Sequence, residues 1–174
     1  MKKQHFATKA IHAGYNPKEL KGSVAIPLFQ TSSFQFESAE HGERSFLGED
    51  DGFIYTRIGN PTIQVLEQRI AELEGAESGL AFGSGMGAIA AVLIALTKAN
   101  DHILASSGLY GSSFSLLKMF EEKYNMSFSL SDFHSEDEIR SKIKPETSCI
   151  YIETPINPTM KLIDLELVAK VAKE

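Results

Sequence analysis

The chain is short of cations: 17 Lys and Arg stand against 23 Asp and Glu, a formal net charge of −6. That deficit argues against a nucleic-acid partner and against an anionic membrane surface. Cysteine is nearly absent as well. Cys149 is the only one, so an internal disulfide is excluded and a reducing compartment fits. It lies in the apolar run Ser148-Cys149-Ile150-Tyr151-Ile152, where a buried core position is expected. Long apolar stretches are missing too. The longest, Ala88 to Leu96, falls far short of the ~20 residues that span a bilayer. The opening MKKQHF lacks the apolar core of a secretory signal, and a cytoplasmic location is expected. There is no internal repeat and no low-complexity tract. A chain of 174 residues with 43% hydrophobic content is within the range of one globular domain.

What is present is organised around SGLAFGSGMGAIAAVLIAL, from Ser78 to Leu96. The short run Leu80-Ala81-Phe82 reads as a strand, Gly83-Ser84-Gly85-Met86-Gly87 as a glycine turn, and the residues after it as a helix. The first N–H groups of a helix have no intrahelical partner and carry the positive end of its dipole. Such a loop can seat a phosphate. It can equally serve only to turn the chain and let the helix pack close to a sheet. Gly83-x-Gly85-x-x-Ala88 also satisfies the dinucleotide fingerprint, which requires an acidic residue about 20 positions later. There the next strand, near His102 to Ala105, runs instead into Ser106, Ser107 and Gly108. A Walker A loop is excluded because no Gly-Lys-Ser/Thr follows. A compact phosphate monoester suits the loop better than a pyrophosphate.

The first 50 or so residues are broken by Gly14, Pro17, Gly22, Pro27, Gly42 and Gly48, and their apolar residues show no sustained helical period. Residues 1–52 read as an arm that either packs on another subunit or folds over its own domain. From Phe53 the pattern is regular, and residues 53–174 read as one incomplete domain. FIYTRIGNPT is expected to be extended up to Asn60-Pro61, an N-cap followed by a favoured first helical residue. The helix Pro61 to Glu74 would place Val65, Leu66, Ile70 and Leu73 on one face and end at Gly75. Tyr55 and Arg57, two apart in extended chain, would point the same way. Such a pair suits phosphate oxygens, or is simply a solvated Arg beside a packed Tyr.

Further on, Leu109-Tyr110-Gly111 opens a helix with Phe114, Leu117, Met119 and Phe120 on its apolar side. A strand near Ser127 to Leu130 follows, then a helix announced by the capping box Ser135-x-x-Glu138. The apolar strand Ser148 to Glu153 reads as buried and parallel. Thr154-Pro155-Ile156-Asn157-Pro158 interrupts it, and Asp164 caps a last helix. Asn157, at a strand's carboxyl end, is placed either to serve a ligand or to close an Asx turn. Alternating strands and helices imply an α/β fold with a mainly parallel sheet and flanking helices.

Three separated pieces resemble one family. They are Tyr55-Thr56-Arg57-Ile58-Gly59-Asn60-Pro61-Thr62, Ser84-Gly85-Met86-Gly87-Ala88-Ile89 and Glu153-Thr154-Pro155-Ile156-Asn157-Pro158. With Ala10-Ile11-His12 and Leu109-Tyr110-Gly111, they are similar to the Cys/Met-metabolism enzymes that use pyridoxal 5′-phosphate (PLP). That family includes methionine γ-lyase, cystathionine γ-synthase and the cystathionine lyases. The resemblance covers essentially the whole chain in order. It implies the aspartate aminotransferase-like fold of PLP-dependent transferases (fold type I), truncated here.

The resemblance also implies roles. Ser84, Gly85 and Met86 would hold the cofactor phosphate. Tyr110 would stack on the pyridine ring and, poised by the neighbouring Tyr55 and Arg57, act as general acid or base at the leaving group. Asn157 would bond the cofactor's phenolic oxygen near the substrate carboxylate. Tyr55 and Arg57 would reach the phosphate of the neighbouring subunit, giving a homodimer with shared sites and a tetramer of two such dimers. The substrate would be a sulfur amino acid, with γ-elimination of methionine ahead of cystathionine γ-synthase or γ-lyase chemistry. A dinucleotide-dependent oxidoreductase and a catalytically inert fragment are the alternatives. Two departures bear on this. The family attaches PLP to a lysine in a Ser-x-x-Lys-type segment and pairs the pyridine nitrogen with an Asp, and both are expected beyond residue 174. Lys98, Lys118 and Lys161 do not follow that pattern, so the chain is expected to be inactive alone. Many methionine γ-lyases also carry cysteine after Tyr-Gly, where this chain has Ser112.

Overall fold

The computed structural model describes residues 5–174, apart from the side chain of Glu19. Residues 1–4, most of the opening MKKQHF, lie outside it. The chain divides after Ala81 into two compact units, Met1–Ala81 and Phe82–Glu174.

The first unit holds more helix than its broken pattern suggests. α1 (Phe6–His12), a 3-10 turn (Pro17–Leu20), α2 (Ala39–Leu47) and α3 (Pro61–Glu74) follow in order. The early helices are too short to show a period; local side-chain caps define the 3-10 turn and α2, while α1 has none. The Ser38 hydroxyl accepts the His41 N–H, and Gly48 closes α2 in the left-handed region. Lys9 of α1 pairs with Glu72 of α3 at 2.8 Å, and Arg69 donates to the Ala13 carbonyl at 3.0 Å. Gly14 has φ +72° and lies so close to α3 that a Cβ would sit 2.8 Å from the Val65 carbonyl oxygen, so only glycine fits.

α3 has the expected ends. Asn60 accepts the Thr62 N–H, Pro61 opens the helix and Gly75 ends it. The buried residues, however, are Val65 and Ala71, while Leu66 and Ile70 remain about half exposed. Asn60 does more than cap: its amide donates to the Phe29 carbonyl at 2.9 Å and the Thr56 hydroxyl at 3.1 Å.

The second unit is a three-layer α/β/α arrangement. It contains α4 (Gly85–Leu96), β1 (His102–Ser106), α5 (Gly111–Tyr124), β2 (Ser127–Ser131), α6 (Glu136–Lys142), β3 (Thr147–Tyr151) and α7 (Leu165–Ala172). The strands are parallel in the order β2-β1-β3. Every residue of the central β1 is buried. Because strand side chains alternate, Leu104 joins Phe133, Ile139, Ile163, Val168 and Val171 on the α6–α7 face. Ile103 and Ala105 join Leu93, Leu117, Phe120 and Met126 on the α4–α5 face. At about 25 cal/mol per Å² of apolar surface, burial in these two layers is the main term holding the sheet.

Three expectations need correction. Residues 80–82 form no ladder among the described residues: the Ala81 N–H goes to the Glu67 carboxylate at 2.8 Å, so the backbone donor a strand would use is taken. β3 pairs with β1 and is only partly buried within this chain despite its apolar run. Cys149 is accordingly half-buried rather than a core residue, and burial still pushes its thiol pKa up. Finally, the capping box is incomplete. Ser135 accepts the Glu138 N–H at 3.2 Å, but the Glu138 carboxylate turns back past Ser135 to the N–H groups of His134 and Asp132.

His102 begins β1 fully buried. Its two ring nitrogens meet Thr147 Oγ1 at 2.7 Å and Ser129 Oγ at 2.9 Å, so one imidazole ties both neighbouring strands to the centre. Among the described residues no helix is long and apolar enough to cross a membrane.

Candidate active site

The glycine loop builds an anion seat from backbone alone. Ser84 is extended and caps α4, its Oγ accepting the Gly87 N–H at 3.0 Å. Its carbonyl takes the Ala88 N–H at 3.1 Å. The Gly85 and Met86 N–H groups precede the first intrahelical bond and remain available. No acidic residue lies in the first turn of α4. A Cβ at Gly83 or at Gly85 would meet nothing within 4 Å, so the backbone is open to close approach. Donor set, dipole and clearance all fit a phosphate monoester.

The loops after β1 and β3 gather at the carboxyl end of the sheet, where open α/β folds bind ligands. They interlock at Gly108, where a Cβ would fall 2.4 Å from Ile156 Cγ2. That contact brings the Tyr110 segment beside the Asn157 segment. Tyr110 is 54% exposed. Residues 154–163 close on themselves through Ile156 N–H to the Lys161 carbonyl and Ile163 N–H to Thr154 Oγ1. Asn157 is exposed on this loop. Among the described residues its amide makes no Asx-turn bond, which leaves it free for a ligand. Met86 reaches the same end: its sulfur lies 3.9 Å from Ser113 Oγ on α5. Ser84, Gly85, Met86, Tyr110 and Asn157 therefore all stand on loops or helix starts of the second unit.

Tyr55 and Arg57 belong to the first unit. They do associate, the guanidinium carbon lying 5.1 Å from the Tyr55 ring centroid, a cation–π contact. The geometry differs from simple strand alternation. Tyr55 bridges Ser33, and the chain then turns, with the Ile58 and Gly59 N–H groups both donating to the Tyr55 carbonyl. Of the lysines considered, Lys118 pairs with Glu121 at 2.7 Å and Lys161 with Asp132 at 3.4 Å.

Sequence reasoning missed Glu153. Its Oε1 accepts from Ser113 Oγ and from the Tyr151 hydroxyl, each at 2.6 Å, and its Oε2 from the Tyr110 N–H at 2.7 Å. Burial opposes its charge, but the bonds from Ser113, Tyr151 and Tyr110 outweigh that and hold the carboxyl below its usual range. Burial, with the Glu153 carboxylate beside it, pushes Tyr151 up to about 12. The available signal was a carboxylate closing an apolar strand directly before a proline loop. A groove of about 770 Å³ lined by Ala95–Asp101 and Pro145–Ser148 opens at the amino ends of the strands, away from these groups.

A helix start with free amides and a tyrosine at the carboxyl end of a parallel sheet covered by helices on both faces define the class: an α/β protein whose loops suit a phosphate-bearing cofactor. The chain belongs to the Cys/Met metabolism PLP-dependent enzyme family, whose model matches residues 7–174. It is 45% identical over 172 residues to an L-methionine gamma-lyase of Fusobacterium nucleatum subsp. nucleatum, covering 99% of this chain and 43% of that protein. An L-methionine gamma-lyase of Porphyromonas gingivalis is 42% identical over 96% of this chain and 42% of its own length. Among solved structures, metB from Corynebacterium glutamicum superposes with TM-score 0.87 at 35% identity, over 98% of this chain and 42% of that one. A candidate O-acetylhomoserine (thiol)-lyase from Campylobacter jejuni superposes with TM-score 0.88 at 29% identity, over 98% and 42%. That structure contains N′-pyridoxyl-lysine-5′-monophosphate. The fold is thus that of the fold-type-I PLP enzymes, and the chain spans about two-fifths of the length of these relatives.

Proposed function

We propose that this chain supplies the phosphate cradle and part of the substrate site of a PLP-dependent enzyme acting on a sulfur amino acid, with γ-elimination of methionine as its reaction. The observation that carries the reading is the α4 start: the free Gly85 and Met86 amides and open glycines beside an exposed tyrosine. PLP, when bound, supplies an electron sink for the carbanion left at Cα. The chain's own residues hold and orient the cofactor and serve one proton transfer. Ser84, Gly85 and Met86 hold the phosphate through the helix start. Asn157 orients the cofactor's phenolic oxygen and the substrate carboxylate. Tyr110 covers the ring face and moves the proton at the leaving sulfur, with the partner subunit's Tyr55 beside it.

Tyr55 and Arg57 act toward the site of a neighbouring subunit, and the arm 1–52 supplies contact surface for it, with 53–174 as the amino-terminal part of the cofactor domain. A homodimer with shared sites, paired into a tetramer, follows from that exchange. The Schiff-base lysine and the pyridine-nitrogen Asp are supplied by sequence outside these 174 residues, which by themselves do not turn over substrate. A cytoplasmic setting is consistent with the single unpaired thiol. A second reading, cystathionine γ-synthase or γ-lyase chemistry, uses the same residues. It is supported by 39% identity to a Bacillus subtilis protein named cystathionine gamma-synthase/O-acetylhomoserine (thiol)-lyase. Membership of the family leaves no place for a dinucleotide at the loop.

The test uses full-length purified protein. It should be yellow, lose its visible band on borohydride treatment, and consume methionine, with release of a thiol, faster than it consumes cystathionine or an O-acylhomoserine. Tyr110→Phe should lose turnover while keeping cofactor, and Arg57→Ala should lose cofactor affinity. A colourless protein that takes up no added PLP would refute the proposal.

A further inference from the structure

α5 begins at an unsuited residue. Ser38, Asn60, Ser84, Ser135 and Asp164 each cap their own helix through the side chain. Tyr110 occupies the equivalent place on α5 and makes no such bond. The cap comes from 43 residues away, where the Glu153 carboxylate takes the Tyr110 N–H at 2.7 Å. Its other oxygen holds Ser113 and Tyr151, each at 2.6 Å, and its own N–H donates to Ser106 Oγ at 3.3 Å. Glu153 thus joins the end of β1, through its backbone N–H, and the end of β3 to the first turn of α5, with its carboxylate charge toward the positive end of the helix dipole.

We propose that Glu153 is the positioning residue for Tyr110: by capping α5 from the end of β3, it fixes the backbone from which the ring projects and leaves that ring free for the cofactor and substrate. The inference rests on the reading of Tyr110 given above. It also explains why two neighbouring helix starts differ in use. α5 already carries a fixed anion, whereas α4, with Met86 against Ser113, carries none. The phosphate therefore belongs to α4.

The experiment compares Glu153→Ala, Glu153→Gln and Glu153→Asp in the full-length holoprotein, with Glu153→Ala repeated in a Tyr110→Ala background. Glutamine can present its carbonyl to the Tyr110 N–H and its amide to the two hydroxyls, which rotate to accept. Aspartate keeps the charge but is one methylene too short to span the gap. Readouts are kcat/KM, PLP affinity by titration, the visible circular dichroism of bound PLP, and the resonance of fluorotyrosine at position 110. Loss of a charge-assisted bond predicts a drop in kcat/KM of about 30-fold for Glu153→Ala, about 10-fold for Glu153→Asp and less than about 3-fold for Glu153→Gln. The circular dichroism should weaken in step with these losses. On Tyr110→Ala, adding Glu153→Ala should cost less than a further ~3-fold, because its route is already removed.

Multiplicative losses in the double variant, or glutamine as damaging as alanine, would overturn the proposal. If Glu153→Ala does not fold, Glu153→Asp carries the same comparisons. If the unmodified protein takes up no PLP, the functional reading fails. The fluorotyrosine signal then still decides the positioning claim: it must broaden or shift in Glu153→Asp and stay unchanged in Glu153→Gln.

Discussion

Replacing Glu138 by glutamine tests how the carboxyl end of β2 is held. The Glu138 carboxylate accepts the His134 N–H at 2.9 Å, the Asp132 N–H at 3.0 Å and the Ser131 hydroxyl at 2.8 Å. Lys142 lies 3.3 Å away. The His134 amide is the largest influence; burial works against it, and the Ser131 and Asp132 bonds and Lys142 add to it. The group titrates at about 2 instead of 4.5. At ~1.4 kcal/mol per tenfold change in proton affinity, that preference is worth at most about 3 kcal/mol to the folded state at neutral pH. With the side chain 24% exposed, solvent screening reduces the expected loss in Glu138→Gln to about 2 kcal/mol. Because the folded pKa is depressed, this stability is fully present above the unfolded value of 4.5 and disappears as pH falls toward 2. Urea unfolding of both proteins at pH 7, 4 and 2.5 should show the gap closing as the pH drops. A gap that stays constant over that range, or is already below about 0.5 kcal/mol at pH 7, would refute the reasoning.

Other outcomes follow from the same geometry. Burial lowers the His102 pKa, with Lys144 acting in the same direction and Glu146 against it. The unfolded chain therefore binds the proton more readily, and stability should fall as pH drops through about 6.5. His102→Gln should flatten that part of the pH–stability curve. Asn60→Ala removes a helix cap and two bonds to Phe29 and Thr56, so chemical unfolding should register a loss of about 2–3 kcal/mol. Gly108→Ala drives a methyl into the stiff, β-branched Ile156; it should cost about 1–3 kcal/mol, and Gly108→Ala combined with Ile156→Ala should cost less than the two singly. Ser84→Ala removes the cap of α4 and should destabilise by about 1 kcal/mol while weakening PLP uptake.

Features that depend on residues close together in the chain were legible without coordinates. Asn60-Pro61 and Gly75 bound α3 because a cap acts over three positions. The Ser84 loop announced the start of α4, and with it the free amides that belong to any helix start. Asp164 announced α7 in the same way. The alternation of apolar strands and helices sufficed for a parallel α/β sheet, since buried strands must be covered on both faces.

Tertiary structure decided the rest, where a partner distant in sequence takes a group that local rules assign elsewhere. Residues 80–82 have the composition of a strand, yet the Glu67 side chain claims the Ala81 amide. Ser135-x-x-Glu138 is written as a capping box, and the glutamate turns to amides of the preceding loop. Above all, nothing local to Tyr110 or Glu153 links them. Parallel β1 and β3 must lie side by side before one carboxylate can end the strand and begin the helix, because their separation along the chain is closed only by the folded sheet.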